Sequence, residues 1–92
     1  MRATRSIEPS KAQRDRLSAY ISTKKLHPCL DCKQTYHPFV MDFDHVRGEK
    51  LADVADMANQ RYTEEAIDAE IAKCDLVCSN CHRMRTWNRN HQ

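Results

Sequence analysis

Two Cys-x-x-Cys pairs, Cys29/Cys32 and Cys78/Cys81, constrain this chain more than any other feature of its sequence. Each pair predicts a tight turn that points two thiolates at one centre, and two such turns complete the tetrahedral shell that zinc prefers. Four thiolates leave no open position on the ion, so we expect a structural zinc. A chain of 92 residues has a thin apolar core, which the free energy of metal binding supplements.

A disulfide framework and a redox motif both fit the cysteines less well than zinc does. The odd number of cysteines, five in all, and an N-terminus without an apolar leader segment argue against disulfides. A redox Cys-x-x-Cys motif requires a thioredoxin-like βαβ context, which the sequence lacks. The fifth cysteine, Cys74, continues an apolar stripe formed by Ile67 and Ile71. We therefore expect Cys74 to be buried and to take no part in zinc binding.

Charge is distributed unevenly along a chain whose net charge is only +2. Residues 1–27 carry a net charge of +5 and residues 79–92 one of +3, whereas residues 28–78 are acidic. Basic ends suit a nucleic-acid phosphate backbone, although solvated helix faces explain the same pattern. No apolar run approaches the roughly 18 residues of a membrane span, so we expect one cytoplasmic domain with no membrane partner.

The apolar patterns predict a small α+β fold. In chain order we expect elements over residues 11–24 (helix), 36–45 (strand), 51–58 (short helix), 64–73 (helix, capped by Thr63), 76–77 (a very short extended piece) and from 79 onwards (helix). Within the single domain, residues 1–26 form a basic N-terminal helix that packs on a core of residues 27–92. We expect Trp87 and Met84 to belong to the core.

A carboxylate and two histidines accompany the cysteine pairs. Asp44 and His45 end the predicted strand, and His82 follows Cys81 too closely to bind the same ion. If the strand packs beside the last helix, Asp44 and His82 can hold one divalent ion while His45 activates a water molecule. Such a set is suited to hydrolysis of phosphodiesters. An Asp-His pair at a strand end is also a common structural feature, and that alternative stays open.

Strand geometry imposes a condition on this set. Neighbouring side chains on a regular strand point to opposite faces, so His45 would follow Phe43 towards the core and away from Asp44. We therefore expect the strand to bulge or to end at Asp44-His45, before the loop that contains Gly48.

Two stretches together resemble the small HNH endonucleases that are frequent in phage and bacterial genomes. They are Phe43-Asp44-His45 with Lys50 downstream, and residues 73–83, which read KCDLVCSNCHR. The resemblance covers residues 27–88, and the zinc-knuckle arrangement is similar to that of phage endonuclease VII. It implies a zinc-stabilised ββα-metal (His-Me finger) core, a β-hairpin and a helix around a catalytic ion, here with an additional N-terminal helix.

The resemblance also implies roles for individual residues. His45 matches the general base, and Asp44 and His82 match the ligands of a catalytic Mg²⁺ or Mn²⁺. The nitrogen ligand of His82 suits Mn²⁺, Co²⁺ or Ni²⁺ at least as well. The Asn of the family name corresponds to Asn80 or to Asn59, and we favour Asn80; either amide is equally explained as a cap or an exposed side chain.

Five basic residues are candidates for contacts with DNA phosphates: three on the last helix and two in the loop after His45, namely Arg83, Arg85, Arg89, Arg47 and Lys50. Each is also explained as a solvated surface charge.

The sequence thus predicts a metal-dependent DNA endonuclease or nickase that acts on double-stranded DNA in a bacterial or phage-infected cell. A zinc-stabilised DNA-binding module without catalysis is the main alternative. A phage packaging subunit that cuts only with a partner is a further one. A homodimer or a phage or bacterial protein partner stays open.

Overall fold

The computed structural model describes residues 11–91, which form a small α+β fold, as predicted. A single turn of 3-10 helix, Pro38–Val40, precedes the first strand. The elements are, in order, helix α1 (Lys11–Thr23), strand β1 (Met41–His45), helices α2 (Val54–Met57) and α3 (Glu64–Ile71), strand β2 (Cys74–Cys78) and helix α4 (Ser79–Asn90).

The two strands pair antiparallel in one continuous register, from Met41 opposite Cys78 to His45 opposite Cys74. Because side chains alternate along a strand, β1 has two different faces. Asp42 and Asp44 face α4, where they contact its side chains. Phe43 packs with the side chains of α1, α2 and α3 on the other face.

The apolar interior consists of two small clusters. The first joins α1, α2 and α3 through Leu17, Ile21, Val54, Met57, Ala58 and Ile67. The second contains two of the cysteines together with Met41 and Val77. Cysteine side chains therefore form part of the second apolar cluster, as expected for a chain too short to build one large hydrophobic core.

Local capping explains where the helices begin. The Thr63 hydroxyl accepts a hydrogen bond from the Ala66 N–H at 3.1 Å, so α3 begins where the sequence predicts. At α4 the cap is a cysteine: Cys78 has extended backbone, and its Sγ accepts from the Cys81 N–H at 3.5 Å. The second Cys-x-x-Cys turn is thus also the first turn of α4.

Helix α1 presents Leu17 and Ile21 to the first cluster. It ends at Thr23, one residue before the predicted end. The predicted segment 1–26 is described only from Lys11 onwards, and its first ten residues lie outside the described part of the chain.

Three expectations about the elements are wrong. The first strand begins at Met41 rather than at residue 36, because Pro38 begins a 3-10 turn that the His37 ring caps. The extended piece predicted at 76–77 is a full strand, Cys74–Cys78, because it pairs with β1 along its whole length. Met84 and Trp87 lie outside the core at 55% and 54% exposure.

Among residues 11–91, no helix combines the length and the apolar character that a membrane crossing demands.

Candidate metal and catalytic site

The four predicted zinc ligands come together. The Sγ atoms of Cys29, Cys32, Cys78 and Cys81 all lie within 4.8 Å of one another. A tetrahedral zinc with Zn–S distances of about 2.3 Å places its sulfur ligands about 3.8 Å apart, so the cluster has the right size. Since all donors are thiols and Cys29 is fully buried, the cluster could hold a structural metal such as zinc.

Backbone hydrogen bonds prepare Cys29 for this role. Its Sγ accepts from the Cys32 N–H at 3.5 Å and from the Cys78 N–H at 3.3 Å. Burial would raise the pKa of the Cys29 thiol, but these N–H donors outweigh burial and lower its pKa to about 6. The two turns therefore favour the thiolate, the form that binds metal.

Cys74 lies apart from the cluster, as predicted. Its Sγ lies 3.4 Å from the backbone carbonyl of Glu70, and it packs against the first apolar cluster. Burial, helped by the nearby Glu70 charge, raises the pKa of the Cys74 thiol to about 11. A protonated thiol in an apolar environment is a poor metal ligand.

His82 lies between two carboxylates on the first turn of α4. Its Nδ1 is 3.0 Å from Asp42 Oδ2, and its Nε2 is 3.5 Å from Asp44 Oδ1. The fold thus brings together Asp44 and His82, the two residues predicted to share a divalent ion. Sequence reasoning missed Asp42, although it lies two residues before Asp44 and so shares its face of the strand.

Asp44 is buried, at 4% exposure. Arg85 Nη1 donates to its carboxylate at 2.9 Å and Arg89 Nη2 donates at 2.7 Å. Burial would raise the pKa of Asp44, but the two guanidinium groups hold it below its ordinary value. Asp44 is therefore an ionised carboxylate whose charge α4 compensates.

The strand register explains why α4 supplies a guanidinium here. Asp44 of β1 lies directly opposite Asp75 of β2, and like charges in such a pair repel each other. Arg85 Nη1 lies 2.9 Å from Asp44 and 3.0 Å from Asp75 and bridges the two. Its Nε and Nη2 bind Asp31, inside the first Cys-x-x-Cys turn. One side chain thus connects that turn to both strands.

His45 points away from Asp44, as strand alternation requires. Its Nε2 lies 2.9 Å from Glu70 Oε2. Strand β1 ends at His45. The N–H groups of the next two residues, Val46 and Arg47, both donate to the Lys73 carbonyl, so the chain forms a local bulge there. The strand thus ends at His45, as predicted, but it is regular up to that residue, so its end does not bring Asp44 and His45 to one face.

Both histidines nevertheless line one cleft of about 420 Å³ along the edge of β1. His45, His82 and Asp42 form one side of it, and Asp53 and Asp56 belong to the other. His45 reaches the cleft from one face of the strand and His82 from α4, which packs on the opposite face. Two imidazoles and three carboxylates thus border the same cleft.

Glu70 is a second residue of this site, after Asp42, that sequence reasoning missed. Its side chain is 1% exposed and accepts hydrogen bonds from Leu51 N–H, Ala52 N–H and Lys73 Nζ in addition to its contact with His45. Burial would raise the pKa of Glu70, but these donors lower it to about 2. The available signal was an acidic residue three positions after the buried Ile67, on the inward side of α3.

Most of the predicted DNA-binding side chains are engaged within the fold. Arg85 and Arg89 bind Asp44, Arg47 binds Asp75 and two backbone carbonyls, and Lys50 pairs with Asp53. The remaining candidate, Arg83, forms no ion pair with any residue from 11 to 91. Its side chain lines an open groove of about 700 Å³.

Asn80 lines the same groove, together with Asp42 and His82. These last two residues also line the cleft at His45, so the groove and the cleft share a wall. The other candidate amide, Asn59, lies in the turn after α2, where its N–H donates to the Asp56 carbonyl. Of the two amides, Asn80 is the one that shares a groove with His82.

Comparisons of this chain with protein-family models, with curated proteins and with solved structures give no match.

Proposed function

We propose that this protein is a metal-dependent endonuclease or nickase with a ββα-metal (His-Me finger) centre. The observation that carries the proposal is that His45, His82 and Asp42 line a single cleft. His82 directly follows Cys81, the last cysteine of the Cys29/Cys32/Cys78/Cys81 cluster. A module that only binds DNA has no need of two histidines in a cleft beside a carboxylate.

His82 and Asp44 would hold the divalent ion, since His82 Nε2 and Asp44 Oδ1 lie 3.5 Å apart. Mg²⁺ or Mn²⁺ would suit the carboxylate, and Mn²⁺, Co²⁺ or Ni²⁺ the imidazole. When bound, the ion would polarise the scissile phosphate and stabilise the leaving oxygen. Arg85 and Arg89 keep Asp44 ionised for this role.

His45 would accept the proton of the attacking water. An imidazole is a competent base near neutral pH, and the ring borders the cleft while one of its nitrogens is held by Glu70. The cleft wall formed by α2 limits the space in which the water can lie.

Double-stranded DNA would approach along the groove of α4. Arg83 and Asn80 line this groove, and Asp42 and His82 line both the groove and the cleft. Arg83 has no carboxylate partner in the described part of the chain, so its guanidinium is available to a phosphate. Arg47, Arg85 and Arg89 instead bind carboxylates within the fold.

A plasmid nicking assay tests the proposal. Supercoiled DNA is incubated with the purified protein and Mg²⁺, Mn²⁺ or EDTA, with His45→Ala in parallel. We expect metal-dependent conversion to nicked or linear DNA that His45→Ala loses while retaining its zinc and its CD spectrum. Equal cleavage by His45→Ala, or cleavage in EDTA, would contradict the proposed mechanism.

The second candidate is a zinc-stabilised DNA-binding module, either alone or as the accessory subunit of a partner that cuts. The pairing of Asp44 with two arginines favours it, because a purely structural carboxylate would be compensated in the same way. Salt-sensitive DNA binding without cleavage in any metal would support this candidate.

A further inference from the structure

The contact between Glu70 and His45 determines which imidazole nitrogen carries a proton. Glu70 is buried, and each of its side-chain contacts outside His45 is to a donor: Leu51 N–H, Ala52 N–H and Lys73 Nζ. A carboxyl proton could go only to His45 Nε2 among these contacts, but three donors, one of them the charged Lys73 ammonium, stabilise the carboxylate, so Glu70 is ionised and only accepts. His45 Nε2, at 2.9 Å, must then be the donor.

The other ring nitrogen is consequently the one with a lone pair. His45 Nδ1 has no hydrogen-bond partner among residues 11–91, and the ring borders the cleft that His82 and Asp42 also line. The arrangement resembles the general case in which a carboxylate fixes the tautomer and orientation of a catalytic histidine.

We propose that Glu70 is a positioning residue for His45, holding the Nε2–H tautomer so that Nδ1 accepts the proton of the attacking water. This inference rests on the proposed nuclease function. Glu70 also accepts a hydrogen bond from the Leu51 N–H, in the loop after β1. Lys73 Nζ donates both to Glu70 and to the Glu49 carbonyl of the same loop. The ring and the loop beside it are thereby fixed by one buried carboxylate.

The substitution Glu70→Gln tests the role with little change of volume. If the carboxamide presents its oxygen to His45, the charge that stabilises the protonated ring is lost. If it presents its NH₂ group, the ring must adopt the other tautomer. In both cases we expect the nicking rate at saturating DNA to fall at least about tenfold, with KM unchanged.

Glu65→Gln is the matched control, because it removes the same charge from an exposed position of the same helix. We expect this variant to cleave at the wild-type rate. Zinc content and the CD spectrum are measured for both variants. A Glu70→Gln protein that retains zinc, folds normally and cleaves as fast as Glu65→Gln would overturn the proposal.

Long-range ¹H–¹⁵N NMR of the wild-type protein supplies a test that needs no variant. We expect His45 to carry its proton on Nε2, with slow exchange against water because Glu70 accepts it. A neutral His45 protonated on Nδ1 would overturn the proposal. A wild-type protein that cleaves no DNA in any metal would instead overturn the proposed function, whatever the NMR result.

Discussion

Arg85 binds Asp31 through two nitrogens of its guanidinium: Nε and Nη2 lie 2.6 and 2.7 Å from the two carboxylate oxygens. Asp31 lies between the first two cysteines of the metal cluster, and Arg85 lies one turn after the last. The third nitrogen of the same group reaches Asp44 and Asp75. The geometry of the cysteine cluster and that of the candidate catalytic carboxylate are therefore coupled through one side chain.

Arg85→Ala should destabilise the fold. It leaves the buried Asp44 with Arg89 as its one guanidinium partner and leaves Asp44 and Asp75 facing each other without a bridging cation. We expect a loss of about 3 kcal/mol in the free energy of unfolding, measured with urea on the zinc-loaded protein. Arg83→Ala, which removes a solvated cation from the same helix, should change that free energy by less than about 0.5 kcal/mol. Equal losses in the two variants would contradict the network.

Cys29→Ser should abolish zinc binding and with it the folded state, because the second apolar cluster is built around these sulfurs. Metal content by mass spectrometry and the CD spectrum measure the two effects. Cys74→Ser is the control, since Cys74 is a partly buried thiol outside the cluster and its substitution should leave one zinc per chain. A folded, zinc-free Cys29→Ser protein would refute the structural role of the metal.

Arg83→Ala should weaken DNA binding without affecting stability. Loss of one phosphate contact lowers the slope of log affinity against log salt by about 1. Fluorescence anisotropy with a labelled duplex, at salt concentrations from about 50 to about 200 mM, measures this slope. The control is Arg16→Ala, which removes an exposed charge from α1. An equal fall in the slope for Arg16→Ala would indicate a general charge effect.

Glu70 should make stability depend on pH at the acidic end. Its pKa is about 2 in the folded protein, against an ordinary value of 4.5. The unfolded chain therefore binds more protons in this interval. The stabilisation is fully present above about pH 4.5 and is lost as the pH falls towards 2. Acid also releases zinc, from the wild-type protein and from the Glu70→Gln variant alike. The quantity to compare is therefore the difference in unfolding free energy between these two proteins. A difference that stays constant from about pH 6 to about pH 3, on both sides of the ordinary carboxylate pKa, would contradict the assignment.

Features that depend on local spacing could be predicted from the sequence. The two Cys-x-x-Cys turns, the cap at Thr63 and the start of α4 each follow from residues a few positions apart, and the structure confirms them. The end of the first strand at His45 was also predicted, but the strand is regular up to that residue and leaves Asp44 and His45 on opposite faces.

Features that depend on strand register could not be predicted. Nothing local to Asp44 indicates that Asp75 lies opposite it, so the sequence could not show that Arg85 is needed between them. Glu70 is likewise 25 residues from His45 in the chain, and only the packing of α3 against β1 brings the two together.

The expectation for Met84 and Trp87 failed for a related reason. Helix α4 meets the strands with a polar face of His82, Arg85 and Arg89, which bind the carboxylates of β1. The large apolar side chains consequently remain outside, where Trp87 stacks on the His91 ring with centroids 4.0 Å apart.

The peptide bond between Cys81 and His82 joins the two candidate metal centres within one helical turn. An extra residue at this point would rotate His82 by about 100° and shift it by about 1.5 Å along α4, away from Asp42 and Asp44. The surface turns between β1 and β2 carry no such requirement for a fixed number of residues. Variation in length among descendants of this sequence should therefore accumulate between His45 and Cys74, while the spacing from Cys78 to His82 stays fixed.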